Sequence, residues 1–203
     1  MNINGAVSVQ NAALTAATLN VGNSGGVSAG NQLSAVVSGD INIAGGYLKT
    51  FAGDLELLVS GSLNIGNASD GGEIWGGYNR VAPYYPDVSI AVGGDLKLNN
   101  GAHINSANDV YLDLLGASSQ LVMNSGTPGG ASYILSDIGT GVIGTTHLSF
   151  LKRSSGGVVI DGVEGKQTAV GGSGFFALNL GKPATAGAGL GIAFIRSRDA
   201  RFL

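Results

Sequence analysis

A spacing of 22 residues constrains this chain more than any other feature. Val36-Val37-Ser38-Gly39-Asp40-Ile41-Asn42-Ile43 matches Leu58-Val59-Ser60-Gly61-Ser62-Leu63-Asn64-Ile65 at that offset, with five of eight positions identical. Going back 22 from Ile41 reaches Leu19, and going forward 33 from Leu63 reaches Leu96. One column therefore reads Leu19, Ile41, Leu63, Leu96, and the next reads Val21, Ile43, Ile65, Leu98. The residue between them is polar each time: Asn20, Asn42, Asn64, Lys97. Apolar, polar, apolar is the period of a strand with one buried face. A helix would need apolar residues at i, i+3 and i+4, and would lose about 1 kcal/mol at each of the frequent glycines.

A second strand per repeat reads Gly53-Asp54-Leu55-Glu56-Leu57 and returns 55 residues later as Asn108-Asp109-Val110-Tyr111-Leu112. Two or three short strands in a constant interval make one coil of a parallel β-solenoid, whose successive coils stack ~4.8 Å apart. The expected fold is all-β, a parallel β-helix with about 22 residues per coil. Its apolar columns would fill the interior, with the asparagines facing out. An antiparallel sandwich, the competing architecture, does not by itself enforce a constant spacing.

Composition agrees with this and removes other classes. Of 203 residues 36 are Gly, 11% are charged and 44% are hydrophobic. That apolar share is enough to offset chain entropy, so the chain is not disordered, and the absence of a G-x-y period excludes collagen. With no Cys there are no disulfides, thiol nucleophiles or Cys-based zinc sites. No apolar run approaches the ~18 residues of a spanning helix, and the first residues lack a basic, apolar signal pattern, so no transmembrane segment is expected. Up to Phe150 three basic residues stand against ten acidic ones, and from Leu151 seven stand against three. The later Lys and Arg are scattered, which fits solvation of the last strands better than a basic tail for an anionic partner, and no nucleic-acid partner is expected.

The 33-residue interval holds 11 residues more than one coil, and the excess must leave the coil between Asn67 and Asp87. That segment carries the only Trp and three of six Tyr. A loop insertion at 67–87 is expected, with Trp75, Tyr78, Tyr84 and Tyr85 as candidate ligand-binding residues, because insertions in solenoids emerge on one face and amphipathic aromatics make adaptable contacts. The alternative is a lid of the same aromatics folded over the flank. Residues 1–130 would form the coils. Residues 131–203 would form an irregular continuation or a β cap, with strand-like runs at 146–151, 157–161, 175–180 and 191–195.

Catalytic patterns are missing. His103 and His147 show no metal-ligand spacing and read as satisfied surface or core residues. There is no phosphate-binding loop, and Gly187-Ala188-Gly189-Leu190-Gly191 lacks dinucleotide-binding spacing. Asp70 and Glu73 near Asn67 offer oxygen donors, but the calcium-binding Gly-Gly-x-Gly-x-Asp repeat is absent. Asp109 and Asp113 would lie ~13 Å apart along a strand, too far for a glycosidase pair. Asp54 and Asp109, stacked on neighbouring coils, would be solvated corner residues without an accompanying Arg or Lys. No enzyme activity, metal or cofactor is expected.

Ser-Gly-Asp-Ile-Asn-Ile-Ala-Gly-Gly (38–46), Ser-Gly-Ser-Leu-Asn-Ile-Gly-Asn (60–67) and Gly-Gly-Asp-Leu-Lys-Leu-Asn-Asn-Gly-Ala-His-Ile (93–104) resemble the repeats of filamentous-haemagglutinin-like proteins, the two-partner-secretion exoproteins of Gram-negative bacteria. The resemblance spans about residues 17–126. It implies a right-handed parallel β-helix, an extracellular or cell-surface location, and an adhesin module that binds a surface glycan or protein receptor. A self-assembling filament subunit is the second expectation, since Asn4-Gly5-Ala6-Val7-Ser8-Val9 carries no charge to block head-to-tail pairing of copies. A polysaccharide-active β-helix enzyme is the third.

Overall fold

The computed structural model describes residues 1–78, 85–108, 110–116, 119–124, 133–136, 148–152, 158–161 and 176–178. Five coils of three strands each wind through its first part. They comprise β1 (Asn2–Ile3), β2 (Ala6–Val9) and β3 (Ala12–Ala16); β4 (Leu19–Val21), β5 (Gly26–Ala29) and β6 (Leu33–Val37); β7 (Ile41–Ile43), β8 (Tyr47–Thr50) and β9 (Leu55–Val59). The fourth coil holds β10 (Leu63–Ile65), β11 (Glu73–Gly76) and β12 (Val88–Val92), and the fifth holds β13 (Leu96–Asn99), β14 (His103–Ser106) and β15 (Val110–Leu114). Like strands of successive coils pair in parallel, giving three sheets that run the length of a β-solenoid. Among the described residues there is no helix.

The expected register is the observed one. Leu19, Ile41, Leu63 and Leu96 pair in one column of the first sheet, and Val21, Ile43, Ile65 and Leu98 in the next, all buried. Leu55, Val88 and Val110 are partners in the third sheet, as the second repeated strand required. Parallel strands enclosed on one side read as alternating runs, and this alternation places every inner column in one continuous core. The asparagines between the columns are half-buried on the outer face, where they form a ladder. Asn20 donates to Asn2 at 2.8 Å, Asn42 to Asn20 at 2.9 Å and Asn64 to Asn42 at 2.9 Å. Corners carry a second polar column: Asp40 accepts the Ser62 N–H at 2.7 Å, Ser62 Oγ the Asp95 N–H at 3.1 Å, and Asp95 Oδ1 the Gln120 N–H at 3.1 Å. These bonds satisfy backbone groups that the sheets leave unpaired where the chain turns.

Residues 67–87 depart from the expected single loop. Strand β11 lies inside them, with Ile74 wholly buried between Leu48 and Ile104 in the second sheet. The physical reason is that Glu73-Ile74-Trp75 keeps one apolar residue at an inward position, and burying it closes the fourth coil. The eleven extra residues are therefore divided between two corners. Residues 66–72 stand where the third coil has 44–46, and residues 77–87 stand where it has 51–54.

The later strands continue the sheets. β16 (Leu121–Asn124), β17 (Tyr133–Ser136) and β18 (Leu148–Lys152) pair in parallel with β13, β14 and β15. β19 (Val158–Asp161) pairs in parallel with β16, whereas β20 (Phe176–Leu178) pairs antiparallel with β17. The expected run at 191–195 lies outside the described residues, as do Asp109 and His147.

Candidate functional site

The outer face of the second sheet carries two rows set by strand register. Gly26, Tyr47, Glu73 and His103 form one, and Ser28, Lys49, Trp75 and Asn105 form the other. Gly26 leaves room for its neighbour: a β-carbon there would lie 2.4 Å from the Tyr47 ring. The ring thus lies flat against the preceding coil, which fixes it as a wall.

Glu73 sits between Lys49 and His103. One carboxylate oxygen, Oε2, pairs with Lys49 Nζ, and the other, Oε1, lies 3.3 Å from His103 Nε2. His103 Nδ1 faces the Gly101 carbonyl at 3.3 Å, so both ring nitrogens lie beside oxygen acceptors. The hydrogen bond from His103, with Lys49 adding to it against the cost of burial, holds the Glu73 pKa down to about 2.

Aromatic rings surround the Lys49 ammonium at 4.4 Å for Tyr78, 4.7 Å for Tyr47 and 5.8 Å for Trp75, within cation–π reach. Trp75 meets Tyr78 edge-on at 4.9 Å, and Phe51 meets Tyr78 at 6.1 Å. The corner after β11 sets this packing. Gly77 adopts a left-handed φ of 76°, and the N–H groups of Gly77 and Tyr78 both bond to the Thr50 carbonyl, at 3.0 and 2.9 Å. The chain is thereby turned back so that Tyr78 lies over the sheet it has just left.

Beside the first row, at the corner between the first and second sheets, an open groove of about 530 Å³ is lined by Tyr47, Lys49, Glu73 and His103 on one side and by Asn23 and Asp70 on the other. Asn23 Nδ2 reaches Asp70 Oδ1 at 3.2 Å although the two belong to the second and fourth coils. Gly45, between them, allows it: a β-carbon there would lie 2.2 Å from Asn23 Oδ1, and its φ of 73° suits glycine. Asn67 holds the Asp70 turn by accepting the Ser69 and Asp70 N–H groups, each at 2.8 Å.

Of the expected ligand residues, the structure brings Trp75 and Tyr78 together. Tyr85 is half-buried where the chain enters β12 and makes no ring contact with either among the described residues, and Tyr84 lies outside the described residues. Tyr47 and Lys49 join the site without having been marked in the sequence, and Glu73 and His103, weighed there only as an oxygen donor and as a satisfied histidine, join it as partners of each other. Tyr47 and Glu73, and Glu73 and His103, are register partners whose separations are not multiples of 22, because the insertion is split at two corners. His103 is half-buried, and its partner is a carboxylate of the neighbouring coil. Among the described residues no group of three His, Asp or Glu side chains is placed to hold a metal ion.

The arrangement offers flat ring faces, paired charges and fixed hydrogen-bonding groups along a half-buried strip of the outer face. A carboxylate kept ionised by hydrogen bonds from His103 and Lys49 is a poor general base at neutral pH. Binding is the chemistry these groups suit. No family model, curated protein or solved structure matches the chain.

Proposed function

We propose that this chain is a surface-displayed β-solenoid module of a bacterial exoprotein, akin to the filamentous-haemagglutinin-like proteins its repeats resemble, and that it binds glycans with the outer face of its second sheet. One observation carries the reading: Tyr47, Trp75 and Tyr78 converge on the Lys49–Glu73–His103 chain beside a groove, where the lengthened fourth coil meets the coils on either side of it. Aromatic rings give apolar faces for the C–H-rich sides of sugar rings at little entropic cost, and adjoining polar groups fix orientation. Solenoids place such features on insertions because the coils themselves are bound by stacking.

The test is glycan-array binding by the intact chain and by the double variant Trp75→Ala, Tyr78→Ala, with circular dichroism to check that β structure is kept. Loss of at least about tenfold in binding is expected, since two anchoring rings are each worth more than ~1 kcal/mol. Undiminished binding by the double variant would remove this face from the reading.

A further inference from the structure

We propose that the groove between Asn23–Asp70 and Tyr47–Glu73 is selective for uncharged glycans that present adjacent hydroxyls; the inference rests on the glycan-binding reading and names the ligand class. The charges lining the groove are spent on one another. Lys49 and His103 both bond Glu73, and Asp70 is held by Asn23 Nδ2 at 3.2 Å and by the Ser69 hydroxyl at 2.7 Å. An anionic sugar entering there meets two carboxylates, and Lys49, the lysine lining the groove, is already engaged, so it loses its hydration without gaining a partner.

A hydroxyl pair fits the same groups. Each hydroxyl both donates and accepts, and a carboxylate beside an amide supplies acceptors on Asp70 and a donor and an acceptor on Asn23. The two side chains are fixed before any ligand arrives. Asn67 holds the turn that carries Asp70, and the missing side chain of Gly45 lets Asn23 cross the third coil to meet it. Fixed polar groups lose little entropy on binding, which favours a rigid polyol over a flexible charged chain. Tyr47, laid against Gly26, provides the apolar wall. A volume of about 530 Å³ lies within the range of small-ligand clefts.

The experiment probes the intact chain on an array of uncharged, anionic (sialylated, uronate-bearing and sulfated) and amino-bearing glycans, at low and high salt. Uncharged glycans are expected to be retained, with a change of less than about twofold between the salt conditions, because no net charge pairing is involved. Asn23→Ala and Asp70→Ala should each weaken that binding about tenfold while thermal unfolding stays cooperative. Asp70→Asn, which preserves the shape of the turn, should weaken it less. A preference for anionic or amino glycans overturns the selectivity, and so does undiminished binding by Asn23→Ala and Asp70→Ala. If the Trp75→Ala, Tyr78→Ala variant alone loses binding, glycan recognition stands and the groove assignment falls. If no glycan is retained by the intact chain, the proposed function falls with it.

Discussion

The third and fourth coils share an interior and differ outside. Ile41 and Leu63 are partners, as are Leu48 and Ile74, and all four are wholly buried. Yet β7 to β9 is joined by short corners, whereas β10 to β12 carries eleven more residues, set before and after β11. The comparison separates two jobs that one strand does at once. Inward positions must match the coils above and below in size, so they change little from coil to coil. Outward positions and corners answer to solvent, and added length is tolerated there because lengthening a loop costs only slowly rising entropy. The longer coil consequently supplies Glu73, Trp75, Tyr78 and Asp70, and the shorter one supplies Tyr47, Lys49 and the gap at Gly45.

Core truncation tests the shared half of this comparison and should have the largest effect. Ile41→Ala and Leu63→Ala should each cost about 2–5 kcal/mol in urea unfolding, and by similar amounts, since both side chains fill the same column. Asn64→Ala, on the outer ladder, should cost about 0.5–1.5 kcal/mol. A large gap between the two core variants, or equal losses at Leu63 and Asn64, would break the idea of one continuous interior.

Corner glycines sharpen the contrast. Gly45 and Gly66 end the first-sheet strands of the two coils with φ of 73° and 78°. An added β-carbon meets the Asn23 side-chain amide oxygen at 2.2 Å in the first case, but the Asn99 backbone carbonyl at 2.1 Å in the second. Gly45→Ala should therefore cost about 1–2 kcal/mol for the left-handed conformation and about 0.5–1.5 kcal/mol more for displacing Asn23 from Asp70, and Gly66→Ala, which meets backbone, more than both together. Thermal unfolding of the pair measures the difference, and a costlier Gly45→Ala would reverse the assignment of which corner is the tighter.

The smallest effect belongs to the pair of charges that joins the coils. Glu73 has its pKa lowered from 4.5 to about 2, so its contribution to stability is fully present above about pH 4.5 and is lost as pH falls toward about 2. A third of the side chain is exposed, and solvent screening keeps the contribution modest. In Glu73→Gln the stability difference from the wild type should shrink across that same interval. A difference that stays constant with pH would show that Glu73 acts through packing and not through Lys49 and His103.

How much of this was legible in the sequence depended on direction. Leu19, Ile41, Leu63 and Leu96 announced their column because a constant offset and a repeated residue type coincide. Strand β11 was hidden because its flanks are long and because Trp75, read as one of a group of loop aromatics, masked the polar–apolar alternation around Ile74. Trp75 and Tyr78 were marked together with Tyr84 and Tyr85 as aromatics of one segment, but their partners were not. Tyr47 and Lys49 come from β8 and His103 from β14, and nothing in their own neighbourhoods shows that they meet Trp75 and Tyr78.

The sequence by itself determined the strand period, the inward columns and the presence of eleven residues too many, because each of these follows from local alternation and a fixed interval. Only the tertiary structure decided where those residues leave the coil, and so which outward side chains meet. Contacts between coils follow strand register, and register is set by burying Ile74 between Leu48 and Ile104, not by counting along the chain. Lys49, Glu73 and His103 became neighbours for that reason, with Asn23 reaching Asp70 across a glycine whose role is to have no side chain.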